Sequence, residues 1–380
     1  MKENKISTIQ QVYNQKDNFF DLLRFVLAIA VIFSHSFILL KGQSNGEDPL
    51  TSISNNQISM GTLAVNCFFV VSGFLIMQSL TSNSSYIKYF LNRFLRIFPA
   101  FFTSLFLVSI IIGPLISSFS IKDYFAINNS GPLEFIFKNM SFNIFGYSWT
   151  VRDAFVNNPF PGSANGSMWT LKHEFALYLI LPLLNYFLIV KFRKLFLIMT
   201  FVLTLLSIVN ILYDYKLLNL VGDYYWVLSI NEYTNFIRLA PYFMIGSLLY
   251  LYRDRVVISH RLIILCLILI IVGFKAGLLN IVLMFTIPYI LIAVSVSIKF
   301  SVFRKYGDFS YGMYIYAFPI QQLLSYLWGD WLNVPSFFVL STSITLITAI
   351  ISWHFIEKRA MKLKNISFRR NKNQILEKSV

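Results

Sequence analysis

The sequence predicts an all-α protein that crosses a membrane many times. Of its 380 residues, 56% are hydrophobic and 13% are charged, whereas soluble domains carry about 25% charged residues. Apolar runs long enough to cross a bilayer, which takes about 20 residues, recur along the chain. Lys and Arg stand in short clusters between these runs, which is the distribution of topology signals. The net charge of +15 therefore does not indicate a nucleic-acid partner, since no basic stripe or motif supports one.

The apolar runs define ten candidate membrane spans. These are 19–40, 61–80, 98–118, 167–190, 194–213, 236–252, 258–274, 277–298, 308–328 and 334–356. Basic residues cluster in every second connection, as in 191–194 and 253–261. Because cytoplasmic loops are enriched in Lys and Arg, ten spans place both termini in the cytoplasm. We therefore expect a cytoplasmic N-terminal segment at 1–18, a membrane domain at 19–357 and a basic cytoplasmic tail at 358–380.

The longest connection, 119–166, is expected to face outward. Its NNPFPGSANGS stretch is rich in Pro, Gly and Asn, which favours a turn-rich loop over a further span. Long loops are uncommon unless they are functional or disordered. A sugar-binding surface and a simple cap on the helices are both compatible with its aromatic and amide residues, namely Tyr147, Trp149, Asn157, Asn158, Phe160 and Asn165.

Two ionisable residues, Arg24 and His35, lie inside the first apolar run. Eleven positions in an α-helix make about three turns, so both side chains lie on one face, about 16 Å apart along the axis. Ionisable groups within a membrane helix are costly and mark a path or a reaction site by default. The alternative is that they are topology signals or headgroup anchors.

A carboxylate in the fourth span is expected at a similar depth to His35. Glu174 lies about seven residues into that span, or roughly 10 Å from its outer end, and His35 lies roughly 8 Å below the same interface. A carboxylate beside an imidazole fixes its tautomer and raises its basicity, which suits a general base acting on a hydroxyl. His173 points about 100° away from Glu174 on the helix and is the weaker candidate.

Polar residues in the second span are candidates for lining the same cavity. Asn66 and Ser72 lie at outer and middle depth in VNCFFVVSGF. Small polar residues in a span also serve simply to let helices pack closely, and this alternative stays open.

An arginine pair is expected near the cytoplasmic face. Arg93 and Arg96 are three residues apart and therefore neighbours on one helix side. Pro99 would open the third span, since proline suits the first helical position. Two guanidinium groups are good ligands for a phosphate-rich molecule, although headgroup anchoring is the competing interpretation.

Several other chemistries have no support in the sequence. Cys67 and Cys266 both lie in apolar spans, so no disulfide framework is implied. No grouping of His, Cys or carboxylates has metal-ligand spacing, so we expect no metal. The chain contains no nucleophile elbow, dinucleotide loop or P-loop.

These residues also fall within a known pattern. The chain resembles acyltransferase family 3, integral-membrane enzymes that O-acylate bacterial surface glycans and some other acceptors. The likeness extends from Phe20 to about Lys364 and depends on the joint order of several motifs. They are Arg24-x10-His35, VNCFFVVSGF, RFLRIFPAF with Arg93 and Arg96, NGSMWTLKHEFALY, YFMIGSLLYLYRDR, SYGMYIYAFPIQQ and SWHFIEK.

The resemblance implies a membrane O-acetyltransferase. Its donor would be acyl-CoA, usually acetyl-CoA, used from the cytoplasm. Its acceptor would be a hydroxyl of a surface polysaccharide (capsule, exopolysaccharide or O-antigen) or of the lipid-linked precursor. Such an enzyme is a multi-pass protein of the bacterial cytoplasmic (inner) membrane, in contact with membrane lipids.

The resemblance also implies roles for individual residues. His35 would be the catalytic base and Glu174 its partner carboxylate. Arg24, Arg93 and Arg96 would contact CoA or shape its channel. Four further residues are our candidates for substrate binding, namely Asn66, Ser72, Asn165 and Trp169.

Alternatives remain at two levels. Within the enzyme, direct attack of the hydroxyl on the thioester competes with a two-step route through an acyl-enzyme, which His35 could carry. A transporter or flippase for a lipid-linked glycan or anion would also need polar residues in its spans and a basic inner mouth. A third and weaker alternative is an assembly subunit of an envelope complex. The sequence carries no signal for the oligomeric state.

Overall fold

The protein is described by a computed structural model. It covers residues 7–82, 85–127, 130–141, 148–187, 191–213, 230–300 and 305–363. The described part is mostly helical, and its two short strands form one antiparallel pair in which Ser7 faces Ile258 and Thr8 faces Val257. The expected all-α character is confirmed.

The elements follow one another in a simple order. The first half of the chain contains β1 (Ser7–Thr8), α1 (Ile9–Val12), α2 (Phe20–Lys41), α3 (Pro49–Ile53), α4 (Met60–Ser82), α5 (Tyr86–Phe106), a π-helical segment (Leu107–Ile112), α6 (Gly113–Ile116), α7 (Ile121–Tyr124) and α8 (Pro132–Met140). The second half contains α9 (Met168–Tyr186), α10 (Arg193–Leu212), α11 (Ile230–Leu251), β2 (Val257–Ile258), α12 (His260–Lys275), α13 (Leu279–Ser297), α14 (Ser310–Trp328), α15 (Val334–Ser352) and a π-helical segment (Trp353–Glu357).

Six described helices are long and apolar enough to cross a membrane. They are Phe20–Lys41, Met60–Ser82, Tyr86–Ile116, Arg193–Leu212, Leu279–Ser297 and Val334–Leu363. The other four predicted spans coincide in position with α9, α11, α12 and α14. The total of ten and the side on which the termini lie stay predictions. Residues 1–6 of the expected N-terminal segment and 364–380 of the expected tail lie outside the described residues.

The expected position of Pro99 at the first turn of a helix is wrong. Its helix begins at Tyr86, where the Ser85 side chain accepts a hydrogen bond from the Lys88 backbone, so Pro99 lies inside the helix and not at its first turn. Proline is tolerated within membrane helices where neighbouring groups satisfy the backbone that it leaves unbonded. The first turns, with Lys88 and Arg93, are too polar to stand out as a membrane span in the sequence.

The chain divides into two compact units. The first unit comprises Met1–Ser34, Glu47–Ser82 and Thr170–Tyr306, and the second comprises His35–Gly46, Asn83–Trp169 and Gly307–Val380. The boundaries fall inside α2 and inside α9, so each of these helices contributes residues to both units.

The first unit is built around α4 and α11. Gly73 of α4 and Gly246 of α11 lie where the two helices cross, and a Cβ at either position would overlap a carbonyl oxygen of the other helix. The Ser247 hydroxyl donates to the carbonyl oxygen of Gly73 (3.0 Å). Small residues at a crossing let two backbones approach closely, which is a main source of attraction between helices in lipid.

The two ends of the first unit have different chemistry. At one end β1 pairs with β2, and Arg193 Nη1 bonds to Asp254 Oδ1 (2.8 Å). At the other end the Gln57 amide donates to the carbonyl of Phe274 (3.0 Å) and accepts from the backbone N–H of Leu279 (2.9 Å). This second end is therefore held by amide contacts, together with the buried Asp48 carboxylate, which accepts from the backbone N–H of Met60 (2.9 Å).

In the second unit α14 packs against α5 and α15. The described part of the long connection is fastened to α14 by amides. Asn158 Nδ2 donates to Gln322 Oε1 (2.7 Å), and Gln322 Nε2 donates to the carbonyls of Phe160 (2.8 Å) and Ser163 (2.7 Å). These bonds fit the alternative in which the connection caps the helices. Its role as a sugar surface stays a prediction, and Tyr147 lies outside the described residues.

Candidate active site

Helix α2 carries both residues of the predicted Arg–His pair. It runs without a break from Phe20 to Lys41, with Asp21 in its first turn and Lys41 in its last, where each charge complements the helix dipole. Arg24 and His35 therefore lie on one continuous helix, on one face and about 16 Å apart along its axis. The local structure expected from their spacing is confirmed.

Arg24 is held by a carboxylate of its own helix. Its Nη2 lies 2.5 Å from Asp21 Oδ1, and the side chains of Arg24 and Asp21 are 24% and 32% exposed. The pair is thus partly open to its surroundings, and the guanidinium is fixed in direction by a neighbour three residues earlier. A guanidinium with five N–H donors can bind a phosphate while it also bonds a carboxylate.

His35 is half-buried and packs against an aromatic ring of the second unit. Its ring meets Phe318 of α14 edge-to-face, with centroids 5.2 Å apart and planes at 83°. On the next residue, the Ser36 hydroxyl accepts a hydrogen bond from Gln321 Nε2 (2.9 Å). One turn further on, the Leu39 carbonyl accepts from Ser325 (2.8 Å). This part of α2 is therefore locked against α14, and the imidazole has an apolar wall.

Glu174 of α9 is held by two hydroxyls in the first unit. Its Oε1 accepts from Ser72 of α4 (2.9 Å) and from Tyr178 of its own helix. The Tyr178 and Ser72 hydroxyls also lie within hydrogen-bond distance of each other (3.0 Å). The fold thus brings together two residues that the sequence singled out separately. The pairing of Glu174 with His35 stays a prediction.

The arginine pair of α5 has two different surroundings. Arg96 contacts Asp308, its Nη1 lies 3.6 Å from Glu357 Oε2, and its guanidinium lies over the Trp353 ring at 5.5 Å. For Arg93, the described residues provide no carboxylate within 4.0 Å, and its buried Nε has no hydrogen-bond acceptor among them. Arg96 therefore ties helices together, while Arg93 is better placed to receive an anion.

The remaining candidates for substrate binding differ in how their polar atoms are used. Asn165 is fully buried, and its amide donates to Ser104 Oγ (3.1 Å) and to the Ile315 carbonyl (3.0 Å) within the second unit. Trp169 is half-buried at the second position of α9. Asn66 is 2% exposed and lines a cavity of the first unit. Asn165 thus has a clear structural role, whereas Asn66 borders a cavity.

Three further residues have side chains that could take part in a reaction, namely His173, Cys67 and Cys266. His173 is buried, and its ring lies 6.2 Å from that of Phe236. Cys67 and Cys266 are free thiols. Across the described ranges, no three His, Cys, Asp or Glu side chains come close enough to hold a metal ion.

Sequence reasoning missed several partners of these groups. Asp21 and Tyr178 could have been found, because they lie three and four residues from Arg24 and Glu174 and so share their helix faces. Asp308 and Glu357 carry no such signal, since more than 200 positions separate each of them from Arg96.

Comparison with known proteins identifies the family. The profile of the acyltransferase 3 family, an acyltransferase domain, matches residues 17–354. An "O-acetyl transferase" of Shigella phage Sf6 is 28% identical over 351 residues, which cover 90% of this chain and 96% of the phage protein. "Nodulation protein 10" of Rhizobium leguminosarum bv. viciae is 31% identical over 173 residues, 44% of each chain, so the match spans less than half of that relative.

No solved structure matches the chain. The family profile spans the predicted membrane domain almost from end to end. The expected enzyme class is thereby confirmed, and the chain belongs to the acyltransferase 3 family of membrane acyltransferases.

Proposed function

We propose that this enzyme is a membrane O-acetyltransferase, which moves the acetyl group of acetyl-CoA to a hydroxyl of a surface polysaccharide or its lipid-linked precursor. The observation that carries the proposal is the placement of Arg24 and His35 on one face of the unbroken helix α2. The likeness to the phage O-acetyl transferase over nearly the whole chain supports the same chemistry.

His35 acts as general base in a direct transfer. Its imidazole takes the proton of the acceptor hydroxyl while the hydroxyl oxygen bonds to the thioester carbonyl carbon. The carbon–sulfur bond then breaks, and the CoA thiolate leaves and takes the proton from the imidazolium. The apolar wall formed by Phe318 favours this reaction over hydrolysis, because it limits the water around the ring.

Glu174 stabilises the imidazolium that forms during the reaction. Its Oε1 is oriented by the hydroxyls of Ser72 and Tyr178, whereas Oε2 accepts no hydrogen bond from the described residues. A carboxylate held in this way orients its histidine and raises its basicity.

The donor enters from the cytoplasm. Arg93 and Arg24 bind the phosphates of acetyl-CoA, since a guanidinium fork matches phosphate oxygens. The separation of Arg24 and His35 along α2, about 16 Å, is comparable with the extended pantetheine arm that links the phosphates to the thioester. We place the enzyme in the bacterial cytoplasmic membrane, with both termini inside.

The test is transfer of labelled acetyl from acetyl-CoA to glycan in proteoliposomes that contain the purified protein. His35→Ala should lower transfer by about 10²-fold to 10⁴-fold, the usual contribution of a general base. His260→Ala is the matched control, because His260 is exposed at the start of α12. Full transfer by His35→Ala at equal expression would refute the role of this residue. Movement of glycan without acetyl-CoA would favour the carrier alternative.

A further inference from the structure

The first unit contains a cavity that the proposed mechanism does not use. Its volume is about 240 Å³, which would hold about eight water molecules at about 30 Å³ each. It is thus comparable in size with one sugar ring. The lining residues all belong to the first unit and include Gln57, Asn66, Arg238, Tyr242 and Asn280.

The cavity lies at the end of the first unit that is closed by amides. It is bounded by α11, the connection before α4, the first turns of α4 and α13, and the last turn of α10. The basic residues Arg193 and Arg253 lie at the opposite end, next to the β1–β2 pair. Because basic ends face the cytoplasm, we place the opening of the cavity on the outer side.

The walls of the cavity are already fixed. Gln57 bonds to the backbone at Phe274 and at Leu279, and Asn280 Nδ2 donates to the carbonyl of Gln57 (2.5 Å). These bonds join the connection before α4 to both sides of the α12–α13 turn. A cavity with such walls loses little entropy when it is filled, which favours binding.

One polar atom in the wall lacks a partner. Asn66 is 2% exposed, and its buried Oδ1 accepts no hydrogen bond from the described residues. A buried carbonyl oxygen of this kind costs roughly 1–3 kcal/mol when it is left unsatisfied. Asn66 lines the cavity, and rotation of its side chain toward a ligand hydroxyl would satisfy this oxygen.

The rest of the lining matches a charged sugar. Amides and hydroxyls pair with sugar hydroxyls, and Tyr242 is the aromatic residue among the described lining residues. Arg238 is the charged side chain among the described lining residues, and a guanidinium selects a carboxylate or a phosphate. The lining is therefore unlike the mostly apolar wall of a lipid or drug site.

We infer that this cavity binds one sugar residue with an anionic group, as a recognition pocket for a part of the acceptor that does not react. The inference rests on the proposed function, in which the acceptor is a glycan. It adds that the acceptor carries a uronate carboxylate or a sugar phosphate. Binding energy from such a remote group can position the reacting hydroxyl.

The experiment measures binding separately from transfer. The purified full-length His35→Ala variant is titrated with glucuronic acid, glucose 1-phosphate and neutral glucose, and the shift of its thermal unfolding is recorded. We expect one of the charged sugars to bind about tenfold more tightly than glucose, a difference of about 1.4 kcal/mol. Preference for glucuronic acid identifies a uronate, and preference for glucose 1-phosphate identifies a phosphate. Equal binding of all three sugars, or none, overturns the inference.

Variants connect the binding to this cavity. Arg238→Gln should abolish the preference for the charged sugar, Arg238→Lys should keep part of it, and Asn66→Asp should weaken it by charge repulsion. Arg255→Gln is the matched control, since Arg255 is exposed beyond the far end of α11. A preference that survives Arg238→Gln and Asn66→Asp in folded protein overturns the assignment.

Turnover distinguishes this inference from the proposed function. In the otherwise wild-type enzyme, Arg238→Gln should raise KM for the glycan and leave KM for acetyl-CoA unchanged. If transfer occurs and Arg238→Gln changes neither constant, the pocket is refuted while the O-acetyltransferase stands. If charged sugars bind through Arg238 but no acetyl is transferred, the proposed function fails while the pocket stands.

Discussion

The two units of this protein hold their central helices together by different means. In the first unit α4 and α11 cross at Gly73 and Gly246, where backbone meets backbone. In the second unit the half-buried Arg96 and the buried Glu357 link α5 to the helix that follows α15. Lipid provides no hydrophobic drive between helices, so close packing and polar contacts replace it. The packing of the first unit is therefore sensitive to an added atom at the glycine crossing, and that of the second unit is sensitive to the loss of a charge.

The charged centre of the second unit, formed by Arg96, Asp308 and Glu357, includes a local departure from the α-helix. The segment Trp353–Glu357 is π-helical, and such insertions often mark functional positions. Glu357 is fully buried and accepts from Ser352 Oγ (3.0 Å), which lies 2.9 Å from the Tyr316 hydroxyl. Gly307, at φ +128°, lies directly against the Trp353 indole, where a side chain would clash. Every member of this centre is therefore held by a neighbour.

Removal of the buried carboxylate should have the largest effect. Glu357→Ala leaves Arg96 with one carboxylate instead of two and should lower the free energy of unfolding by about 3 kcal/mol. Unfolding in detergent, followed by circular dichroism during SDS titration, measures it. Glu357→Gln is the matched variant, because it keeps an acceptor for Ser352 without the charge, and it should lose nearly as much. Wild-type stability in both variants would show that the contact between Arg96 and Glu357 does not stabilise the second unit.

Addition of a methyl group at the glycine crossing should come second. Gly73→Ala and Gly246→Ala each force α4 and α11 apart and should cost about 2 kcal/mol, within the range for overpacking. The same SDS titration measures the change. Gly162→Ala is the control, since a Cβ at Gly162 meets nothing within 4 Å. Equal effects at all three glycines would mean that the close crossing is not what makes them sensitive.

Substitutions of the two arginines of α5 should have different effects, one on the binding of acetyl-CoA and the other on the stability of the protein. Arg93→Gln should raise KM for acetyl-CoA about tenfold, or about 1.4 kcal/mol, without a change in unfolding. Arg96→Gln should lower the stability because Asp308 and Glu357 lose their partner. Kinetics and unfolding are measured on the same preparations. An Arg93→Gln variant that is unstable but has a normal KM would reverse these assignments.

The smallest effect concerns the long connection and depends on pH. Burial opposes ionisation of Asp153, but hydrogen bonds from Ser117 and Ser118 outweigh it and hold the pKa of this carboxyl below its ordinary value. Because the pKa of this carboxyl is lower in the folded protein than in the unfolded chain, where it is about 3.9 for Asp, the ionised group stabilises the fold at pH values above the unfolded pKa. This stabilisation is lost as the pH falls through the folded pKa.

Asp153→Asn should therefore destabilise this connection by less than about 1 kcal/mol at neutral pH, and the difference from wild type should vanish in acid. Amide hydrogen exchange at Ser118, whose N–H bonds to Asp153 Oδ2 (2.8 Å), measures it. A difference between the two proteins that grows as the pH falls would contradict the assignment.

The sequence predicted helices well where apolar residues alone define them. α2, α4, α10 and α13 lie within two residues of the expected bounds. Helix α5 begins twelve residues before the expected span, because Arg93 and Arg96 interrupt its apolar pattern, and the partners that make Arg96 tolerable come from distant positions. Charge partners across the fold are invisible to a local hydropathy pattern.

Part of the candidate site could also be predicted from the sequence. Arg24 and His35 share a helix face because eleven residues make about three turns, and no tertiary information was needed for that. Ser72 and Glu174 were recognised as polar residues within apolar spans, but their hydrogen bond joins positions 102 apart. The cavity around Asn66 and Arg238 had no signal, since its lining comes from five separate stretches of chain.

The amino-acid sequence by itself determined the membrane helices, the family and the Arg24–His35 face, because each depends on residue type and on spacing along one helix. Tertiary structure decided the different surroundings of Arg93 and Arg96, the hydroxyl support of Glu174 and the polar cavity of the first unit. The physical reason is that burial and hydrogen-bond partnership depend on which helices pack together, and that choice is made between residues far apart in the chain.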